Sequence, residues 1–204
     1  MRHGETAWNV DTRIQGQLDI ALNDTGLWQA RRVARALEEE PIAAIYASDL
    51  ARAWRTAHEI AQPIGIDVTA DPGLRERAFG MFEGRTFADI DASLPEQARL
   101  WRTRDPEFAP EGGESLLTFR ERVTRTAARI AEQHPGELVV MVAHGGVMDV
   151  LYRAATRQDL QAPRTWELGN AAINRLLWTP QGFTLVGWAD TAHLGGDQLD
   201  ETTA

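Results

Sequence analysis

Between Asn23 and Glu40 the apolar residues Leu27, Ala30, Ala34 and Leu37 recur in steps of three and four, the spacing that lines one face of an α-helix. Asn23, Asp24 or Thr25 can accept from the free N–H groups at its start, and Pro41 stops it. Ala43–Ala47 is a short apolar run and predicts a buried strand, after which Ser48-Asp49 offer a cap for a second helix reaching about Gln62, ahead of Pro63. A third helix opens at Ser115, carries Leu116, Phe119, Val123, Ala127 and Ile130 as one stripe, and ends near His134-Pro135-Gly136. Leu138–Ala143 is the plainest interior strand of the chain. His144-Gly145-Gly146 lead from its end into a helix bearing Val147, Val150 and Leu151. Ala172–Thr179 and Phe183–Ala189, separated by Pro180-Gln181-Gly182, predict a hairpin at the end of the sheet.

Repeated strand, polar turn and helix units place the chain in the α/β class. Its 204 residues suit one domain, 1–204, in which the polar, glycine-bearing residues 194–204 read as a loose tail. His144 falls at the carboxyl end of a strand, where open α/β sheets bind ligands. A nucleophile at His3 calls for the same placement, yet only Met1 and Arg2 precede it. We therefore expect that an N-terminal strand is missing here, because its omission would leave unpaired backbone groups on both neighbouring strands.

Composition narrows the chemistry. A formal charge of -9 argues against a nucleic-acid partner, whose footprint is a basic face. All 21 basic residues are arginine, which rules out a phosphate-loop lysine or a lysine Schiff base and leaves planar guanidinium recognition of phosphate well supplied. Without cysteine there is no disulfide, thiolate nucleophile or Cys-ligated zinc. Apolar runs such as Leu138–Ala143 are far too short for a membrane span, so no membrane partner is expected and a cytoplasmic location is the default. No HExxH, HxH or acidic calcium loop occurs, and neither a metal nor another cofactor is expected.

The N-terminal run Arg2-His3-Gly4-Glu5-Thr6 sets a guanidinium beside an imidazole. A neutral imidazole is a competent nucleophile near neutral pH, and phosphoryl transfer asks mainly for a positioned attacker and donors that spread the equatorial charge. Arginine forks onto two phosphate oxygens at once, each charge-assisted bond contributing about 1.5–3 kcal/mol, and Gly4 removes a side chain from the approach path.

Further motifs follow in order: Trp8-Asn9, Arg13-Ile14-Gln15-Gly16, Ser48-Asp49-Leu50-Ala51-Arg52-Ala53, Leu74-Arg75-Glu76 with Phe79-Gly80 and Glu83-Gly84, Gly113-Glu114-Ser115, His144-Gly145-Gly146 and Trp188-Ala189-Asp190. Together they resemble the histidine phosphatase superfamily, in its phosphoglycerate-mutase-like branch, over nearly the whole chain. The resemblance implies a three-layer α/β/α sandwich with a mostly parallel central sheet. It implies that His3 is phosphorylated in turnover, that Arg2, Arg52 and His144 form the phosphate pocket, and that Asn9 adds a donor. Gln15, Gly16 and Gly145 are expected to bind substrate, and Glu76 resembles the proton donor and later base, a role worth roughly a hundred- to ten-thousandfold in rate. Positive charge from Arg2 and Arg52 should keep His3 unprotonated, while a bound dianion should favour protonated His144. Arg55 is the rival for the pocket but reads as a helix-pairing or solvated residue, Glu83 reads as structural, and His58 and His134 read as solvated. His193 is a weaker candidate for the pocket rim, and Trp8 is close enough to line the site.

These residues lead to a phosphatase that hydrolyses small phosphomonoesters through phosphohistidine, without a metal. A cofactor-dependent phosphoglycerate mutase is the alternative; such mutases carry a basic, tyrosine-bearing stretch after the acid, where this chain reads Arg77-Ala78-Phe79-Gly80-Met81-Phe82-Glu83-Gly84-Arg85. The segment from Thr86 to Gly113 is also modest, which favours an open pocket admitting water. A non-catalytic phosphate or phosphoprotein binder would require loss of a chemical residue, and His3, Glu76 and His144 are all present. The apolar hairpin near Leu176 and Leu177 offers a surface for a homodimer.

Overall fold

The computed structural model describes residues 1–195. A single-turn helix α1 (Ala7–Val10) forms because Thr6 and Asn9 cap each other, Asn9 N–H donating to Thr6 Oγ1 (3.2 Å) and Thr6 N–H to Asn9 Oδ1 (3.0 Å). Helix α2 (Asp24–Leu37) starts where Asn23 Oδ1 accepts from Gly26 N–H at 2.8 Å, and it buries Ala30, Val33, Ala34 and Leu37. Its start packs backbone to backbone on the N-terminal segment: a Cβ at Gly4 would lie 2.4 Å from Gly26 O, and one at Gly26 would lie 2.0 Å from Glu5 O. Gly4 is thus required by the contact with Gly26, not by an approach path for substrate.

Strand β1 (Ile42–Ala47) leads into α3 (Ala51–Ile64). The cap expected at Ser48-Asp49 is displaced to Leu50, which has no capping side chain; Asp19 Oδ1 accepts from Ala51 N–H instead, at 2.7 Å. Pro63 lies inside the last turn and does not end the helix, which closes at Gly65 in the left-handed region (φ 73°) with its N–H on Ala61 O. Strand β2 (Val68–Ala70) and helices α4 (Phe87–Ser93) and α5 (Pro95–Arg102) were not visible in the patterning. Helix α6 (Leu116–Glu132), capped by Ser115 onto Thr118 N–H, strand β3 (Leu138–Val142), helix α7 (Gly145–Thr156) and the antiparallel strands β4 (Ile173–Thr179) and β5 (Gly182–Asp190) follow the expected order.

The parallel sheet runs β2-β1-β3. One face packs on α2 and α3 through Val33, Leu37, Ala57 and Ile60 against Ile45 and Val142; the other packs on α6 and α7 through Phe119, Val123, Ile130 and Val147, with Tyr46, Val139 and Met141 alongside. Each large apolar side chain taken from water contributes about 1.5–3 kcal/mol. These are the three layers of an α/β/α sandwich. A satellite core of Phe82, Ile90 and Ala98, with Phe79, Trp101 and Phe108 against it, anchors α4 and α5 over the carboxyl ends of the strands.

Met1–His3 run beside the carboxyl end of β3. Ala143 N–H donates to Met1 O (2.9 Å), His3 N–H to Ala143 O (3.0 Å), and Ala171 N–H to His3 O (3.1 Å). His3 therefore stands between β3 and the segment entering β4, in the strand-end position expected of it. Below it β3 and β4 are not hydrogen-bonded. An apolar groove of about 600 Å³ lined by Leu138, Met141, Leu176, Trp178 and Phe183 separates them, so the hairpin is a sheet of its own, not the end of the parallel one. The expected tail begins too early: Leu194 closes a 3-10 turn (Ala192–Leu194) and packs against the core, and residues 196–204 lie outside the described residues.

Candidate active site

Arg2, His3, Asn9, Gln15, Gly16, Arg52, Glu76 and Gly145 line one cavity of about 170 Å³ above the strand ends, together with Arg13, Ile14, Phe79 and Trp101. Residues from six separate motifs, up to 143 positions apart, are thus brought to one hollow. His144 is the expected site residue that does not line it. Its ring lies fully buried against His3, edge-on, with centroids 5.2 Å apart. Trp8, expected near the site, is absent from the lining and stands against Gly84.

His3 is 3% exposed, and its Nδ1 meets Gly4 O at 2.6 Å. A carbonyl can only accept, so Nδ1 carries the proton and Nε2 keeps the lone pair. Burial, then the charges of Arg52 and Arg2, hold the imidazole well below its ordinary value of 6.5, which keeps it neutral and nucleophilic. Burial likewise leads the depression at His144, followed by Arg52, His3 and Arg2, so both histidines are neutral in the unliganded site. His144 Nε2 contacts Ser48 Oγ at 2.9 Å, and its Nδ1 has no partner among the described residues. Ser48 itself is fully buried and takes Leu50 N–H on the same oxygen. It was read from the sequence as a helix cap and as part of a motif; its position opposite His144 is a tertiary contact with no local signal.

Arg52 is 1% exposed and gives Nη1 to Leu18 O (2.9 Å) and Nη2 to Gly16 O (2.7 Å), which leaves its buried Nε–H unpartnered. Burial lowers its pKa to about 10, still fully protonated near neutrality. Arg2 gives Nη1 to Leu168 O, and its buried Nε is also unpartnered. Each guanidinium thus lines the hollow with one buried N–H left unsatisfied, which is costly. Asn9 spends Oδ1 on Thr6 and Asn170, leaving Nδ2 as a free donor. Gln15 is buried with Oε1 unpartnered, Gly16 adopts φ 52° to hold its carbonyl on Arg52, and Gly145 opens α7 with no side chain in the hollow.

Glu76 sits on a loop held from several sides. Its Oε1 accepts Arg77 N–H (2.8 Å) and its Oε2 accepts Gly146 N–H (2.9 Å) at the start of α7. Arg122 on α6 donates to Gly73 O, Arg75 O and Glu76 O, and pairs with Glu114, whose Oε2 accepts Ala78 N–H at 2.9 Å. Arg75 makes a two-pronged bridge to Asp49 at 2.7 and 2.5 Å. Arg122 was missed in the sequence, and Glu114 was noted only as part of a motif. Glu83 accepts from Gln17 N–H and Phe79 N–H, both at 3.0 Å, and so stitches the Gly16 loop to the Glu76 loop. Arg55 is exposed and pairs with Glu59 on its own helix, and His58 lies exposed against Trp54. His134, expected to be solvated, is instead half-buried between Tyr46 and Glu137, and His193 places Nε2 on Ala171 O outside the cavity.

Residues 1–191 match the model of the histidine phosphatase superfamily (branch 1). The chain belongs to this superfamily. It is 38% identical over 198 residues to phosphoglycerate mutase-like protein 4 of Arabidopsis thaliana, covering 95% of this chain and 85% of that one. A metal-independent phosphoserine phosphatase of the same plant is 37% identical over 198 residues, covering 95% and 81%. Among solved histidine phosphatases, a mutant phosphoserine phosphatase from Entamoeba histolytica in complex with phosphoserine superposes with a TM-score of 0.85 at 27% identity, covering 95% of this chain and 96% of that one. Among the described residues no helix is long and apolar enough to cross a membrane.

Proposed function

We propose that this histidine phosphatase superfamily member hydrolyses small phosphomonoesters through a phosphohistidine at His3. The observation that carries the reading is that His3, with Nδ1 committed to Gly4 O and Nε2 free, shares one cavity with Arg2, Arg52 and Glu76. His3 Nε2 attacks phosphorus while the ester P–O bond breaks, and Arg2 and Arg52 supply the N–H groups that meet the equatorial oxygens. Glu76 gives its proton to the departing oxygen, then takes one from the water that cleaves the phosphohistidine, returning His3 and releasing phosphate. His144, behind His3 with Nδ1 unpartnered, becomes protonated only when the dianion arrives and offsets its charge. Asn9, Gln15 and Gly145 complete the lining, and no step requires a metal.

The test is acid-labile phosphoenzyme trapping during turnover of a phosphomonoester panel, with His3→Ala alongside. Trapped phosphate that disappears in His3→Ala supports the reading, and undiminished turnover in that variant removes His3 from the chemistry. The relatives bearing mutase names motivate a second arm, 3-phosphoglycerate with and without its bisphosphate. Isomerisation faster than phosphate release would make the chain a mutase.

A further inference from the structure

Strands β1 and β3 run side by side with Ala47 opposite Val142, so the residues just beyond that pair leave the sheet as neighbours. Ser48 N–H continues the ladder onto Val142 O (3.0 Å), and His144 follows two residues after Val142 as the N-cap of α7. This register sets Ser48 Oγ 2.9 Å from His144 Nε2, with both residues fully buried. The direction of the bond follows from counting the groups it must satisfy. Ser48 Oγ already accepts Leu50 N–H (3.3 Å), and among the described residues its own proton has no acceptor other than His144 Nε2. His144 Nδ1 has no partner. If Ser48 donates, the proton of the neutral ring lies on Nδ1, and that N–H is the one buried group left unsatisfied. If the ring donates, two are left: the Ser48 O–H and the Nδ1 lone pair. An unmade buried bond is the costly state, so the first arrangement prevails.

The two histidines are thus set by opposite means. A carbonyl at Nδ1 leaves His3 with a bare Nε2 for attack, whereas a hydroxyl at Nε2 leaves His144 with an N–H at Nδ1 that nothing in the described protein uses. We propose that Ser48 is a positioning residue for His144: its hydroxyl holds the neutral ring in the Nδ1–H tautomer and so keeps that N–H ready as a donor to the phosphoryl group at His3. When the dianion brings a further proton to the ring, that proton goes to Nε2, and Ser48 Oγ turns to accept it at the cost of the acceptor for its own hydrogen. Nδ1–H stays a donor throughout. This rests on the phosphohistidine reading of the site and adds to it a residue that acts through His144 without lining the cavity.

The test reads the ring directly. NMR of the imidazole nitrogens separates a protonated from a bare nitrogen, and in the unliganded wild type His144 should show Nδ1 protonated and Nε2 bare. Ser48→Ala should mix the two tautomers. Calorimetry with inorganic phosphate should show binding about tenfold weaker in Ser48→Ala than in wild type, with cooperative urea unfolding in both. In a His144→Ala background the same substitution should weaken binding no further, because the hydroxyl acts only through the ring. A wild-type ring protonated at Nε2, or a tautomer unmoved by Ser48→Ala, overturns the proposal, and this readout stands even where His144→Ala fails to fold. An equal loss of phosphate affinity with and without His144 also overturns it, since Ser48 would then serve the fold alone. The expected tautomers and phosphate affinities without phosphate release from any ester would keep the role of Ser48 and sink the hydrolase reading.

Discussion

His3 is made a nucleophile by three circumstances that act together. Gly4 O fixes the tautomer, burial removes the water that would stabilise an imidazolium, and Arg52 and Arg2 add like charge. The same burial depresses His144. Both rings should therefore remain neutral in NMR titration about one pH unit below the ordinary 6.5, and the acid limb of kcat/KM should follow the second ionisation of the ester, near 6, in place of an imidazole at its usual value. The sign for stability is fixed by the same shifts. Below 6.5 the unfolded chain takes up protons that folded His3 and His144 refuse, so the stability they confer is complete above 6.5 and declines as pH falls toward their depressed values. Urea unfolding at pH 7.5 and 5.5 should differ in that direction by about 1 kcal/mol per histidine, and equal stability at the two pH values would mean that the rings are not held neutral. The identities of these residues were legible in the sequence because the motifs are short and contiguous. Ser48 opposite His144, and the commitment of both Arg52 Nη groups to Leu18 O and Gly16 O, were not, since contacts between distant segments leave no local pattern.

At the scale of elements, the Glu76 loop is an irregular segment made rigid from outside. Arg122 on α6 ties down three of its carbonyls, Glu114 takes Ala78 N–H, and the first turn of α7 takes the carboxylate. Arg122→Ala removes these charge-assisted bonds at a site only 20% exposed, and should cost about 2 kcal/mol in urea unfolding while lowering kcat through a loosened Glu76. Gly146→Ala separates the two effects. The new Cβ would stand 2.2 Å from Glu76 Oε1, the far end of a flexible side chain, and 3.1 Å from Phe119 Cε1, which need give only a few tenths of an ångström, so the fold should persist while the carboxylate is pushed aside. A fall in kcat of about a hundredfold or more is expected with unfolding nearly unchanged, and retained kcat would show that Glu76 is not the proton donor in this pose. The long helices were legible because fourteen to seventeen residues hold several repeats of the apolar stripe. Helices α4 and α5, of seven and eight residues, hold too few, and their burial is set by Phe82, Trp101 and Phe108 from elsewhere in the chain. Strand β2 has three residues, two of them exposed, and is a strand only because β1 pairs with it.

For the molecule as a whole, the governing tension is electrostatic. An acidic body of net charge -9 gathers Arg2, Arg13, Arg52, Arg77, Arg104 and Arg164 around two neighbouring hollows, and Arg2 and Arg52 each keep a buried Nε–H with no partner among the described residues. The α/β class followed from the patterning, whereas this concentration of charge did not, because counting arginines says nothing of where folding collects them. A site preformed for an anion leaves the unliganded fold below its attainable stability, and an anion that binds only the folded state restores the difference by mass action. At about a hundred times its dissociation constant, inorganic phosphate should add about 2.7 kcal/mol, which in a protein of this size raises Tm by about 5–10 °C. Chloride at equal ionic strength should not reproduce the rise, because screening is not selective for a tetrahedral anion. Arg52→Ala should lose most of it, since it removes one of the guanidiniums that line the phosphate hollow. A phosphate-dependent rise of equal size in wild type and Arg52→Ala would place the anion elsewhere on the protein and detach this cavity from the chemistry assigned to it.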